Sequence, residues 1–203
     1  MKIMLDVGAT RLQELTERYQ FDFWQLRTPL TNRALQGVRY GLDNGCFKEF
    51  KQSTWLRLVE QAREIEPEFV CLPDVVGDAR RTGEMAEIFS PVLDGLPKCL
   101  VLQDGIGQLP IDWDDISAVF IGGSDAFKLA NESMAAAKAA KLLGKWVHVG
   151  RVNTVSRLKH WECVADSIDG SGISRYDHML DKVMRYLQGD EDQGDLFDGQ
   201  AQD

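Results

Sequence analysis

A chain of 203 residues with 44% hydrophobic and 27% charged side chains has the make-up of one soluble domain, long enough for a continuous core and too short for two full domains. No apolar run approaches the roughly 20 residues of a membrane span, and Met1-Lys2-Ile3-Met4-Leu5-Asp6 lacks a signal peptide's apolar stretch, so the expected compartment is the cytoplasm, with no membrane partner. The net charge of −9 is uneven: Asp190, Glu191, Asp192, Asp195, Asp198 and Asp203 fall in a stretch without Lys or Arg, and the remaining body, at −3, is still able to hold a polyanion through a local patch.

Short apolar, β-branched runs alternate with helical patterns, the rhythm of an α/β fold with a mainly parallel sheet. In chain order the pattern predicts strands over residues 2–7, 22–27, 38–43, 69–73, 99–103, 118–122, 146–150 and 164–169. Helices are clearest over 53–66, where Ser53 and Thr54 offer capping hydroxyls, and over 80–93, 125–143 and 174–187. The connection over 31–37 is too short for a long helix. Eight strands is the count of a closed barrel, so the expected fold is a compact, single-domain (β/α)8 TIM-like barrel over residues 1–188, followed by a disordered acidic tail over 189–203.

Cys46, Cys71, Cys99 and Cys163 are scattered, with no Cys-x-x-Cys pair and no His at metal-ligand spacing, so packed free thiols, no structural zinc and no cofactor are expected. His148, His160 and His178 fit no metal motif and read as structural or surface residues. Trp24, Trp55, Trp113, Trp146 and Trp161 read as packing residues.

In a parallel barrel the active site forms at the C-terminal ends of the strands. Polar residues gather there: Asp43, Asp74, Gln103 with Asp104, Gly122-Gly123-Ser124-Asp125, Gly150-Arg151, and Asp166 with Asp169. A lone strand-end Asp is commonly a turn former or helix cap, but six consecutive strand ends of this kind favour a site. Two carboxylates facing one pocket suit chemistry at an anomeric carbon, one as nucleophile and the other as general acid and base. A further carboxylate can accept the paired N–H donors of a guanine-like ring, and Gln103 can donate to a ring carbonyl. The backbone N–H groups of Gly122 and Gly123 can approach a flat ligand closely.

These segments bear an ordered resemblance to the tRNA-guanine transglycosylases. Gly41-Leu42-Asp43-Asn44-Gly45-Cys46-Phe47 resembles that family's Asp-Ser-Gly-Gly-Phe, Pro73-Asp74 its guanine-recognising strand end, and Leu102-Gln103-Asp104-Gly105 its Val-Gln-Gly-Gly. Phe120-Ile121-Gly122-Gly123 resembles the glycine pair of the base pocket, and Val149-Gly150-Arg151-Val152 the Met-Gly-Val-Gly segment. Asp166-Ser167-Ile168-Asp169, followed by Arg175, resembles the segment whose second Asp is the nucleophile. The likeness spans residues 38–176.

Nothing between Asp169 and Asp203 supplies the family's Cys-x-Cys-x-x-Cys and His zinc site. The chain therefore looks more like the small, zinc-free phage and bacterial relatives that place 7-deazaguanine bases in DNA. That resemblance implies a DNA guanine transglycosylase in which Asp169 attacks C1′ and Asp43 moves protons. Asp74, Gln103, Gly122, Gly123, Gly150 and Asp166 would surround the base, and a free 7-deazaguanine such as 7-cyano-7-deazaguanine would replace guanine. A DNA glycosylase, in which water takes the place of the incoming base, and a nucleobase- or DNA-binding module without turnover stay open.

A DNA substrate must present its target nucleotide turned out of the helix or single-stranded, at a cost of a few kcal/mol that phosphate contacts offset. Arg80, Arg81, Arg151, Arg157, Lys159 and Arg175 are candidate contacts, with Arg151 and Arg175 beside the proposed site. In the tail, Gln193-Gly194-Asp195-Leu196-Phe197 resembles the bacterial sliding-clamp-binding pentapeptide. It implies a sliding clamp as partner, with Gln193, Leu196 and Phe197 filling adjacent pockets.

Overall fold

A computed structural model describes residues 1–31, 33–47 and 49–190. The tail pentapeptide with Gln193, Leu196 and Phe197 lies outside the described residues. Eight parallel strands close a barrel in sequence order: β1 Lys2–Leu5, β2 Trp24–Arg27, β3 Tyr40–Leu42, β4 Phe69–Cys71, β5 Lys98–Leu102, β6 Ala118–Ile121, β7 Trp146–Val149 and β8 Ser167–Asp169. β8 closes onto β1 with Met4 opposite Asp169, and β7 meets β8 with His148 opposite Ser167. The expected TIM-like barrel is the observed fold, and all eight predicted strands are present.

Helices α1 Ala9–Tyr19, α2 Gln52–Glu64, α3 Ala79–Phe89, α4 Asp125–Lys128, α5 Asn131–Leu142, α6 Val155–Trp161, α7 Ser171–Arg175 and α8 Asp177–Gln188 fill the connections. Among the described residues between β2 and β3 there is no helix, in keeping with the short connection. The stretch expected as one helix over 125–143 is two. Ala130 has extended backbone, and the Ser133 hydroxyl closes the break by donating to Phe127 O at 2.6 Å or Ala130 O at 2.9 Å. Caps also differ from expectation. Ser53 and Thr54 lie inside the first turn of α2, whose start has no side-chain cap. Asp78, Ser124 and Thr154 do cap α3, α4 and α6, accepting from the N–H groups of Arg81, Phe127 and Arg157.

Side chains alternate along each strand, one set facing the helices and the other the barrel axis. The outward set, including Val147, Val149 and Ile168, packs with α8 residues Leu180, Val183 and Met184. Each of these three buried side chains contributes about 1.5–3 kcal/mol. A second cluster joins α2 and α3 through Trp55, which packs edge-on to Phe89 at 5.6 Å. The inward set contains Met4, Trp24, Leu26, Phe69, Cys71, Cys99, Val101 and Ala118, with Phe120 and Trp146. At the N-terminal end of the barrel Trp24 and Trp146 stack at 5.7 Å. Cys71 and Cys99 are buried inside the barrel, whereas Cys163 is exposed and Cys46 half-buried, so the expected packing role fails for Cys163. Among the described residues no helix is long and apolar enough to cross a membrane.

Candidate functional site

Continuing the inward parity past the C-terminal ends of the strands leads to Asp6, Thr28, Asp43, Gln103, Gly122, Gly150 and Asp169. All of them, with Asp74, line one cavity of about 690 Å³. Two glycines make that cavity. A Cβ at Gly150 would sit 2.5 Å from the Phe120 ring and 3.2 Å from Asp169 Oδ1, and one at Gly122 would lie 2.7 Å from Gln103 Nε2.

Asp43 is held at the end of β3, where its N–H donates to Arg27 O at 2.8 Å. Its pKa is pushed up to about 7, first by burial and then by the negative charge of Asp169, with Asp74 adding to the effect. Asp169, at the end of β8, is 15% exposed, and its Oδ1 lies 3.2 Å from His148 Nε2. Asp6 stands beside it with a pKa raised by burial; Thr28 Oγ1 donates to its Oδ2 at 3.5 Å.

Asp74 is gripped from two sides. Asn44 Nδ2 donates to its Oδ1 at 2.8 Å and Gln103 Nε2 to its Oδ2 at 2.6 Å. Asn44 is itself buried and fixed, donating to Leu72 O and accepting from Cys46 N–H at 2.8 Å. Burial raises the Asp74 pKa, and the hydrogen bonds from Asn44, Cys46 and Gln103 oppose that rise. Gln103 is fixed in turn: its Oε1 accepts from Gly77 N–H and one Nε2 hydrogen serves Asp74, leaving one N–H for a ligand.

Two further expectations need correction. The Gly122 N–H is spent on Leu102 O at 3.0 Å, so Gly122 gives the cavity space rather than a donor. Gly123 has a left-handed backbone at φ +72°. Asp166 lies at the opposite end of the barrel. It precedes β8, accepts from Val147 N–H at 2.8 Å and from Lys141 Nζ at 2.6 Å, and does not line the cavity. It is a structural residue, because three residues of strand separate the two ends.

Among the described residues, the cations that line the cavity are Lys51, Arg57, Lys128, Arg151 and Arg175. Arg151, in the left-handed region at φ 60°, donates to Gly123 O and lies over the ring of Phe47, which is 67% exposed at the mouth. Arg175 is exposed and Arg157 pairs with Asp125 at 3.2 Å behind the rim. Arg80 and Lys159 are engaged elsewhere, with Glu84 and the Tyr186 ring, and Arg81 does not line the cavity.

Two residues at the site lie outside those that the sequence marks. Lys128 is 2% exposed and donates to Ile121 O at 3.0 Å and Gly150 O at 2.6 Å, so it bridges the ends of β6 and β7. Burial pushes its pKa down to about 7, against the pull of Asp169. Its signal was a lysine on the inner side of the short helix after the glycine pair. His148, expected to be a structural or surface residue, is fully buried and touches Asp169. Only its inward parity on β7 could have marked it.

Among the described residues no group of three His, Cys, Asp or Glu side chains is arranged to hold a metal ion. The site is therefore built from a buried acid titrating near neutrality, a second acid backed by a histidine, a clamped third acid and a rim of cations. No protein-family model matches the chain, and no curated protein matches it.

Proposed function

We propose that the chain is a DNA guanine transglycosylase, exchanging guanine for a free 7-deazaguanine base. The observation that carries this reading is that Asp43, with a pKa of about 7, and Asp169 share one cavity with a clamped acid, Asp74. An acid half-protonated at neutral pH can both give and take a proton.

In the first half-reaction an Asp169 carboxylate oxygen attacks C1′ and the C1′–N9 bond breaks. The bonding pair leaves with guanine, which takes a proton from neutral Asp43. The product is a glycosyl ester on Asp169 and an ionised Asp43. In the second half, Asp43 removes the ring N–H proton of the incoming base, whose nitrogen attacks C1′ and releases the Asp169 carboxylate. Each acid returns to its starting form. Asp74 accepts the paired N–H donors of the base edge, and the remaining Gln103 N–H donates to its carbonyl. Arg151 and Arg175 suit the phosphates flanking the extruded nucleotide.

The test incubates the protein with guanine-containing DNA and labelled 7-cyano-7-deazaguanine, then measures nucleosides by mass. Incorporation matched by released guanine is the expected result. Abasic sites without incorporation would reassign the protein as a glycosylase that uses water, and unchanged DNA under both conditions would leave a binding module.

A further inference from the structure

A line of buried hydrogen bonds runs up the inside of the barrel from its closed end to Asp169. Trp146 Nε1 donates to Ser167 Oγ at 2.8 Å, Ser167 Oγ is 2.8 Å from His148 Nδ1, and His148 Nε2 is 3.2 Å from Asp169 Oδ1. Ser167 and His148 are fully buried. The histidine ring is packed between Phe69, at 5.2 Å, and Phe120, at 4.5 Å, with both rings tilted to it.

The order of donors follows from the first link. An indole N–H only donates, so Ser167 Oγ accepts from Trp146. The Ser167 O–H, shut away from water, needs an acceptor of its own, and His148 Nδ1 is the one it meets among the described residues. With Nδ1 accepting, a neutral ring carries its proton on Nε2, and that proton points at Asp169.

We propose that His148 is a positioning residue: as the Nε2–H tautomer, set by Ser167 and Trp146, it ties down Asp169 Oδ1 and leaves Oδ2 as the oxygen that attacks C1′. This rests on the nucleophilic role given to Asp169. One oxygen is fixed by the imidazole N–H, so the carboxylate is held in a single attack direction. The register of β7 on β8, with His148 opposite Ser167, places the relay inside the barrel wall, where no mobile loop takes part. A nucleophile held this way loses on the order of 10²-fold in rate when misplaced by about 1 Å.

Two measurements decide the matter. The first is the tautomer of His148, read by long-range ¹H–¹⁵N NMR on the full chain at pH 7.5. A proton on Nε2 with a bare Nδ1 is expected, and conversion to the other tautomer in Ser167→Ala supports the relay; a proton on Nδ1 or on both nitrogens in the parent protein overturns it. The second is base-exchange kinetics. His148→Phe keeps an aromatic ring between Phe69 and Phe120 but removes the donor, and kcat should fall about 100-fold with KM for the free base within about threefold. His148→Gln, which can present an N–H near the Nε2 position, should recover most of that loss. Equal kcat in the parent and His148→Phe overturns the positioning role while leaving base exchange intact. A parent protein that exchanges no base defeats the functional reading, and the NMR experiment still decides the relay.

Discussion

Gln103 Nε2 donates to Asp74 Oδ2 at 2.6 Å, and the same amide accepts from Gly77 N–H through Oε1 at 2.8 Å. A glutamine anchored by backbone at one end and by a carboxylate at the other sets the plane of that carboxylate. With Asn44 on the other oxygen, Asp74 presents its free lone pairs in one direction. For a ligand with paired N–H donors, Asp74→Asn replaces one acceptor by a donor. The expected result is a rise in KM for the free base of about 10- to 100-fold, the worth of a hydrogen bond to a charged group. Gln103→Leu should act in the same direction and less strongly. Steady-state kinetics at varied base concentration checks both.

Asp43 makes stability depend on pH. Its pKa in the folded protein, about 7, lies above the ordinary 3.8. Between those values the folded state binds a proton that the unfolded state has lost, so this contribution is full below pH 4 and disappears as pH rises through 7. Asp43→Asn removes the buried charge that remains above pH 7. Its melting temperature should exceed the parent's by at least about 3 °C at pH 8.5 and match it near pH 4. Thermal unfolding followed by circular dichroism measures the difference, while base exchange is lost.

Lys128 works in the opposite sense and in another window. Its folded pKa of about 7 lies below 10.5, so between these values the unfolded state binds more protons and stability rises with pH. Lys128→Met should unfold more easily than the parent at pH 9.5, because Ile121 O and Gly150 O lose their donor. That deficit should narrow at pH 7, where the parent begins to bear the buried charge. Urea unfolding at the two pH values tests the slope; a constant difference would contradict it.

Asp166 and Asp169 lie three residues apart and should behave as unlike residues. Asp166→Ala removes the acceptor for Val147 N–H and Lys141 Nζ, costing about 1–2 kcal/mol of stability, with base exchange retained. Asp169→Asn should abolish exchange and give no covalent adduct by intact mass where the parent is expected to give one, with its far-ultraviolet circular dichroism unchanged.

For DNA binding, Arg175→Ala should weaken affinity similarly for all sequences and reduce the slope of log K against log salt by about one unit. Arg151→Ala should do the same with an added structural cost, since it also releases Gly123 O and the Phe47 ring. Fluorescence anisotropy across a salt series checks both.

The barrel is legible because most strands are short apolar runs, several of them β-branched, with a polar or glycine residue at or soon after their ends, and eight such runs in parallel have few alternatives to closure. Helix α1 was harder to read, since only Leu12 and Leu15 are buried on it and its start carries no side-chain cap. Helix α6 has only seven residues. Within the site, Asp43, Asp74, Gln103 and Asp169 stood out as acids and an amide at strand ends. Asp166 was misassigned because β8 begins at Ser167, so a longer predicted strand hid which end of the barrel Asp166 occupies. His148 and Lys128 were missed for a different reason: their partners lie across the barrel wall, and only strand register and the fold of the loop after β6 bring them together.

Asp43 and Lys128 line the same cavity and both titrate near pH 7. At neutral pH the cavity is therefore a local proton buffer, in which an acid and a base are each partly protonated. Any ligand that favours one charge state will draw protons from the solution or return them to it. Calorimetry of ligand binding should then give an apparent enthalpy that tracks the ionisation heat of the buffer, and the sign of that dependence will report whether the occupied cavity holds more protons than the empty one.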